Sequence, residues 1–201
     1  MLRLQVNLKF RGKVILDTVK QNQISDSFLL YVEQALQGLR PLIKSYQIYE
    51  GFTNNTATAT IVQTQQGINE FSITFGASFK NLNTQIVELY LQAVLTTGDV
   101  ITIARVTSSF PTPINTLTVT WVLTVELTTF TSPGYTVDFS GVYNILYNFF
   151  INPSTLTVTQ PQLNVQYTPT SVPEYQGVNG LSFYVAFNNY YSSGVCPVVT
   201  Y

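Results

Sequence analysis

The chain has 201 residues with nine basic and ten acidic side chains, so only 9% of it is charged, against about 25% in ordinary soluble domains. Histidine is absent and Cys196 is the single cysteine, which excludes Ser-His-Asp or Cys-His catalysis, His-based metal sites and an internal disulfide within this chain. An apolar content of 45% excludes a disordered coil, and the length suits one large β domain or two small ones.

Leu2, Leu4, Val6, Leu8 and Phe10 alternate with Arg3, Gln5, Asn7 and Lys9, the pattern of a half-buried strand. Arg11-Gly12 reads as a tight turn, with residues 13–19 returning as the partner strand of a hairpin. Residues 25–40 predict an amphipathic helix. Ser25 or Asp26 can cap it, Phe28, Val32, Leu36 and Leu39 follow the helical period, and Leu29 and Ala35 widen the stripe. Pro41 ends this run or opens a short second turn through Leu42, Ile43 and Tyr46.

From Gln47 the pattern is strands. Residues 56–64 are rich in Thr, Ile and Val. Phe71, Ile73, Phe75, Ala77 and Phe79 alternate with small polar residues. Val87, Leu89, Leu91, Ala93 and Leu95 alternate with Glu88, Tyr90 and Gln92. Residues 100–106 carry apolar side chains on both faces, as a central strand does. Leu117, Val119, Trp121, Leu123, Val125 and Leu127 form another apolar face, with Trp121 read as core, opposite Thr118, Thr120, Thr124 and Glu126. Turn-rich segments at 80–84, 96–99 and 108–115, the last with Pro111 and Pro113, separate these runs.

Residues 135–201 hold five of the nine prolines, and shorter strands are predicted at 142–150, 156–159, 163–167 and 181–187. The expected fold is all-β: a jelly-roll-like antiparallel β-sandwich with one amphipathic helix near the N-terminus. Residues 1–130 form the sandwich, including the N-terminal hairpin and helix 25–40. Residues 131–201 form a smaller Pro/Tyr-rich β extension or second domain. The pentapeptide Thr-Leu-Thr-Val-Thr occurs at 116–120 and 155–159, and in a chain this rich in Thr and Val it reads as coincidence.

Seven of the nine basic residues lie in the first 44 positions, and none follows Arg105. Such polarity suits a chain whose two ends meet different surroundings. Protonating all ten acids moves the formal charge only from −1 to +9, and no standard side chain titrates between roughly 5 and 8. Stability is therefore expected to depend little on pH, as acid or otherwise harsh extracellular conditions demand. Residues 1–4 begin a strand rather than a secretory signal, and no apolar run is long enough to span a membrane as a helix.

Candidate chemistry is sparse. The acids are scattered singly, with Glu88 and Glu126 on polar strand faces, so no paired-carboxylate site is indicated. Neither a Gly-rich phosphate loop nor a tight calcium site is present, residues 96–99 offering one acid. Arg3, Lys9, Arg11 and Lys13 share a strand face and are candidates for contact with an anionic surface, either nucleic acid or membrane. Tyr190 and Tyr191, between Asn189 and Ser192, are candidates for contact with a glycan or partner, since aromatic faces stack on sugar rings. Asn54-Asn55-Thr56 is a glycosylation sequon. No cofactor or metal is expected.

The low charge, the missing histidine and the succession NEFSITFGASF, TQIVELYLQAVL and TLTVTWVLTVEL at 69–79, 84–95 and 116–127 resemble structural proteins of viruses infecting acidophilic hot-spring archaea. Turret and vertex proteins of turreted icosahedral viruses are the most similar group. The resemblance is one of style over most of the chain, so no functional residue transfers. It implies a jelly roll, a virion location and non-enzymatic assembly around a symmetry axis. The partners would then be copies of the chain, other capsid proteins and a host-surface glycan or receptor. An extracellular or filament β module that binds glycans or protein partners is the alternative.

Overall fold

The alternation read along the chain becomes an antiparallel sheet wrapped until its ends nearly meet. The computed structural model describes residues 3–22, 24–36, 38–130, 136–137, 139–153, 178–186 and 199–200. The elements are β1 (Arg3–Ile15), β2 (Val19–Asn22), α1 (Asp26–Leu36), β3 (Ile43–Glu50), β4 (Asn55–Gln66), β5 (Glu70–Phe79), β6 (Thr84–Leu95), β7 (Val100–Ile114), β8 (Leu117–Phe130), β9 (Thr136–Val137), α2 (Phe139–Ile151), β10 (Val178–Ala186) and β11 (Val199–Thr200). The main sheet runs β10-β1-β8-β5-β4-β3-β6-β7, with β2 alongside β1, and β9 and β11 pair separately. The fold is all-β, a sandwich approaching a barrel.

One long ribbon explains most of the wrapping. β5 and β8 pair from Glu70↔Glu126 to Phe79↔Leu117, and β6 and β7 continue the same pairing from Thr84↔Ile114 to Val94↔Val100. The ribbon folds over between them, where Leu82 N–H donates to Asn115 O and Asn81 and Asn83 take positive φ, a conformation their short polar side chains tolerate. β4 turns the opposite corner. Its first half pairs with β3 and its second with β5, with an extra residue at Val62 in the register, and such bulges bend a strand. On the remaining side Ile24 bridges to Ala104 and Ser25 N–H donates to Ile103 O, which nearly closes β2 onto β7.

Several expectations are corrected. No turn forms at Arg11-Gly12: β1 runs on to Ile15, and the chain reverses at 16–18, where Asp17 Oδ1 accepts from Thr18 N–H. Gly12 serves a close approach instead, because a Cβ there would sit 2.5 Å from Asn22 Oδ1 on β2. Residues 42–46 form no second helical turn, since Ile43, Tyr46 and Ile48 face the core from β3. Nor do residues 108–115 form a turn. β7 continues to Ile114 at the end of the strand order, where Pro111 and Pro113 are tolerated because an edge needs no ladder N–H. The apolar residues of 100–106 reflect a bulge rather than a central strand. Leu91↔Ala104 and Gln92↔Thr102 leave Ile103 as the extra residue, so Ile103 and Ala104 are both buried.

The expected strand at 142–150 is helix α2. Tyr143, Leu146, Phe149 and Phe150 are buried while Asn144 is exposed, a helical period that the aromatic content disguised. Helix α1 spans Asp26–Leu36 within the predicted 25–40 and stops where Gly38 takes φ 76°. The two helices meet the sheet in one aromatic cluster. Phe150 lies 6.0 Å from Phe10, 6.3 Å from Phe28 and 5.9 Å from Phe71, and Tyr46 lies 4.6 Å from Phe75.

Residues past 131 thus contribute to the same core through α2 and to the same sheet through β10. β10 pairs with β1 from Arg3↔Ala186 to Arg11↔Val178, so the charge polarity of the sequence is not a separation in space: part of the last third, which holds no Lys or Arg, lies beside the basic strand. The predicted strands at 156–159 and 163–167, and the second Thr-Leu-Thr-Val-Thr, lie outside the described residues.

Candidate binding surfaces

Strand alternation places Lys9, Arg11 and Lys13 on the outer face of β1, opposite the buried Leu8, Phe10 and Val14. Arg3 opens the same strand, and its side chain lies outside the described residues. The fold answers these cations with acids from β5 and β8. Arg11 Nη2 lies 3.0 Å from Glu70 Oε2 and 3.9 Å from Glu126 Oε2, and Lys9 is the register partner of Glu126. No spacing along the chain signals paired carboxylates, yet Glu70 and Glu126 sit directly opposite each other, with Arg11 relieving their repulsion. All three are partly exposed, so the pairs contribute little to stability.

Tyr190, Tyr191 and Cys196 lie outside the described residues. At 96–99 the turn closes on itself: Thr97 Oγ1 donates to Asp99 Oδ2 at 2.8 Å, and Gly98 takes φ 93°. Among the described residues no three His, Cys, Asp or Glu side chains gather to hold a metal ion, and no helix is long and apolar enough to cross a membrane. Trp121 is fully buried, its indole N–H without a partner among the described residues. Asn54 is exposed in the β3–β4 turn at φ 54°, with Oδ1 accepting from Tyr49 OH.

Two arrangements were not legible in the sequence. The first is Glu50, fully buried at the end of β3. Its Oε1 accepts from Phe52 N–H at 3.2 Å and Glu88 N–H at 3.0 Å, and its Oε2 from Thr53 N–H at 2.7 Å and from Thr53 Oγ1. Burial pushes the carboxyl pKa up, but the bonds from Thr53, Glu88 and Phe52 together outweigh it, so the group sits below its ordinary value. A Glu-x-x-Thr spacing at a strand end is the only sequence trace of this cap.

The second is the outer face of β4, β3, β6 and β7. Register places Thr56, Tyr49, Tyr90 and Arg105 in one row, and Thr58, Gln47, Gln92 and Thr102 in the next. The tyrosine rings lie 5.8 Å apart at 38°, and the Arg105 guanidinium stands 5.7 Å from the Tyr90 centroid, within cation–π range. Arg105 also pairs with Glu88, and Gln47 Nε2 donates to Gln92 Oε1 at 2.9 Å. Desolvation first, and then the hydrogen bond with Glu88, push the Tyr90 phenol above its ordinary value. Beyond this face a groove of about 450 Å³ separates β7 from the start of α1, lined by Ser25, Asp26, Thr102, Arg105 and Thr107 among others. The alternation of Glu88, Tyr90 and Gln92 signals the polar side of β6. Bringing them to Arg105 depends on the Ile103 bulge, which composition does not reveal.

No protein-family model, curated protein or solved structure matches this chain.

Proposed function

We propose that the chain is a non-enzymatic structural component of a virion that assembles with copies of itself and with other capsid proteins around a symmetry axis. The observation that carries this reading is the outer face of β4, β5 and β8. Where an ordinary domain would place charges, Thr60, Gln65, Thr74, Ser78 and Thr118 face outward instead. Hydroxyls and amides lose less on desolvation than ions do, and a chain of formal charge −1 packs against copies with little long-range repulsion. The resemblance in style to archaeal virion proteins supports the same reading.

Charging this face tests it. In the Thr60→Lys/Thr118→Lys variant the exposed hydroxyls become cations without touching the core, so the monomer should fold as before. The mass measured by light scattering should fall from a closed oligomer to a single chain. An unchanged oligomer would remove the face from the interface, and a wild-type monomer at every concentration would count against self-assembly itself.

A further inference from the structure

We propose that the outer face of β4, β3, β6 and β7 is a binding site for neutral oligosaccharide. Tyr49 and Tyr90 are adjacent in register and half-buried, so their positions are fixed while part of each ring stays open to solvent. Strands lie about 4.8 Å apart, so the row from Thr56 to Arg105 spans about 14 Å, room for a sugar chain lying across the strands. The neighbouring row supplies planar amides. The bond between Gln47 and Gln92 leaves Gln47 Oε1 and an N–H of Gln92 to meet sugar hydroxyls, which donate and accept alike.

Charge argues for a neutral ligand. Arg105 is held by Glu88, so this row offers neither an unbalanced cation for phosphate or anionic lipid nor an unbalanced anion for a basic peptide. The platform has a wall as well, since Thr102 and Arg105 continue into the groove beside α1, where Ser25 and Asp26 face them. At the opposite end Glu50 shapes the turn that holds Asn54 against Tyr49 and leaves Phe52 exposed. Glu50 is thus a positioning residue for that edge. This site uses the half of β4 that pairs with β3, whereas the hydroxyl face of β5 and β8 continues onto the half that pairs with β5, so different variants test the two.

Saturation-transfer NMR on the full chain, with maltohexaose, cellohexaose and mannohexaose as probes, tests the proposal. At least one probe should receive transfer. The Tyr49→Ala/Tyr90→Ala variant should bind it about tenfold more weakly or not at all, whereas Tyr49→Phe/Tyr90→Phe should retain it because stacking uses the ring. Should the alanine pair lose its fold by circular dichroism, Gln92→Ala carries the same test from an amide that the core does not use. Transfer to none of the three probes, or binding unchanged in these variants, would overturn the proposal. So would a dimer that the alanine pair dissolves, because the face would then belong to a second copy.

Discussion

Two regions of this sandwich solve the same problem with opposite chemistry. Where the two helices meet the sheet, backbone carbonyls accept from neutral phenols. Tyr46 OH donates to Phe150 O at 2.7 Å, Tyr143 OH to Glu70 O at 3.0 Å, and Tyr31 OH to Pro41 O at 2.7 Å. At the β3–β4 turn, several backbone N–H groups converge and need acceptors, which the two oxygens of a carboxylate supply better than one phenol oxygen. A buried carboxylate, Glu50, takes that place. The phenols stay protonated throughout the physiological and acid range, and burial raises Tyr31 and Tyr46 further. The carboxylate does not share that indifference. Sparing use of charge should therefore leave most of this fold insensitive to acid and concentrate the sensitivity at Glu50.

The largest expected effect lies in the phenol-lined region. Phe150 touches both helices and two strands, and Phe150→Ala should cost about 3–5 kcal/mol in urea denaturation, equally at pH 7 and pH 3. Glu50→Gln comes next. It sets an NH2 donor among N–H donors and should cost about 2–3 kcal/mol at pH 7.

The pH profile of Glu50→Gln sharpens the contrast. The folded carboxyl pKa lies below the unfolded value near 4.5, so its stabilisation is fully present above about 4.5 and fades as pH falls through the folded value. Wild type and Glu50→Gln should therefore differ most at neutral pH and converge in strong acid. A difference that stays constant down to pH 2 would show that Glu50 is not the acid-sensitive group. Tyr46→Phe should cost about 1 kcal/mol, the same at every pH below the phenol range.

Two further variants probe the close approach at Gly12 and the basic face. Gly12→Ala should cost about 1–3 kcal/mol, because the new methyl meets Asn22 Oδ1 at 2.5 Å. Shortening Asn22 to Ala in the same chain should recover most of it, the amide having no hydrogen-bond partner among the described residues. Arg11→Ala should change stability by less than about 1 kcal/mol, with the residual effect vanishing in high salt.

What could be read in the sequence followed the period of two. The apolar faces of β5, β6 and β8 were legible residue by residue because one side of each strand is buried and the other is not. The misreadings arose where a second constraint overrode that period. β-Branched and aromatic residues made α2 look like a strand, although Tyr143, Leu146 and Phe150 were already at helical spacing. Gly12 looked like a turn because a glycine required by a neighbouring side chain leaves the same trace as one required by a bend. Pro111 and Pro113 looked like a loop because sequence does not say which strand stands at an edge. The Tyr49–Tyr90–Arg105 row was hidden for a different reason. Its members lie on three strands, and a single bulge residue sets their register.

The mass of the purified protein by light scattering at pH 7 and pH 3 decides whether this chain assembles with itself and does so in acid. A closed oligomer of one size is expected at both values, with the loss at Glu50 too small to dissolve it. A single chain at both values, or an oligomer that falls apart at pH 3, would contradict that expectation.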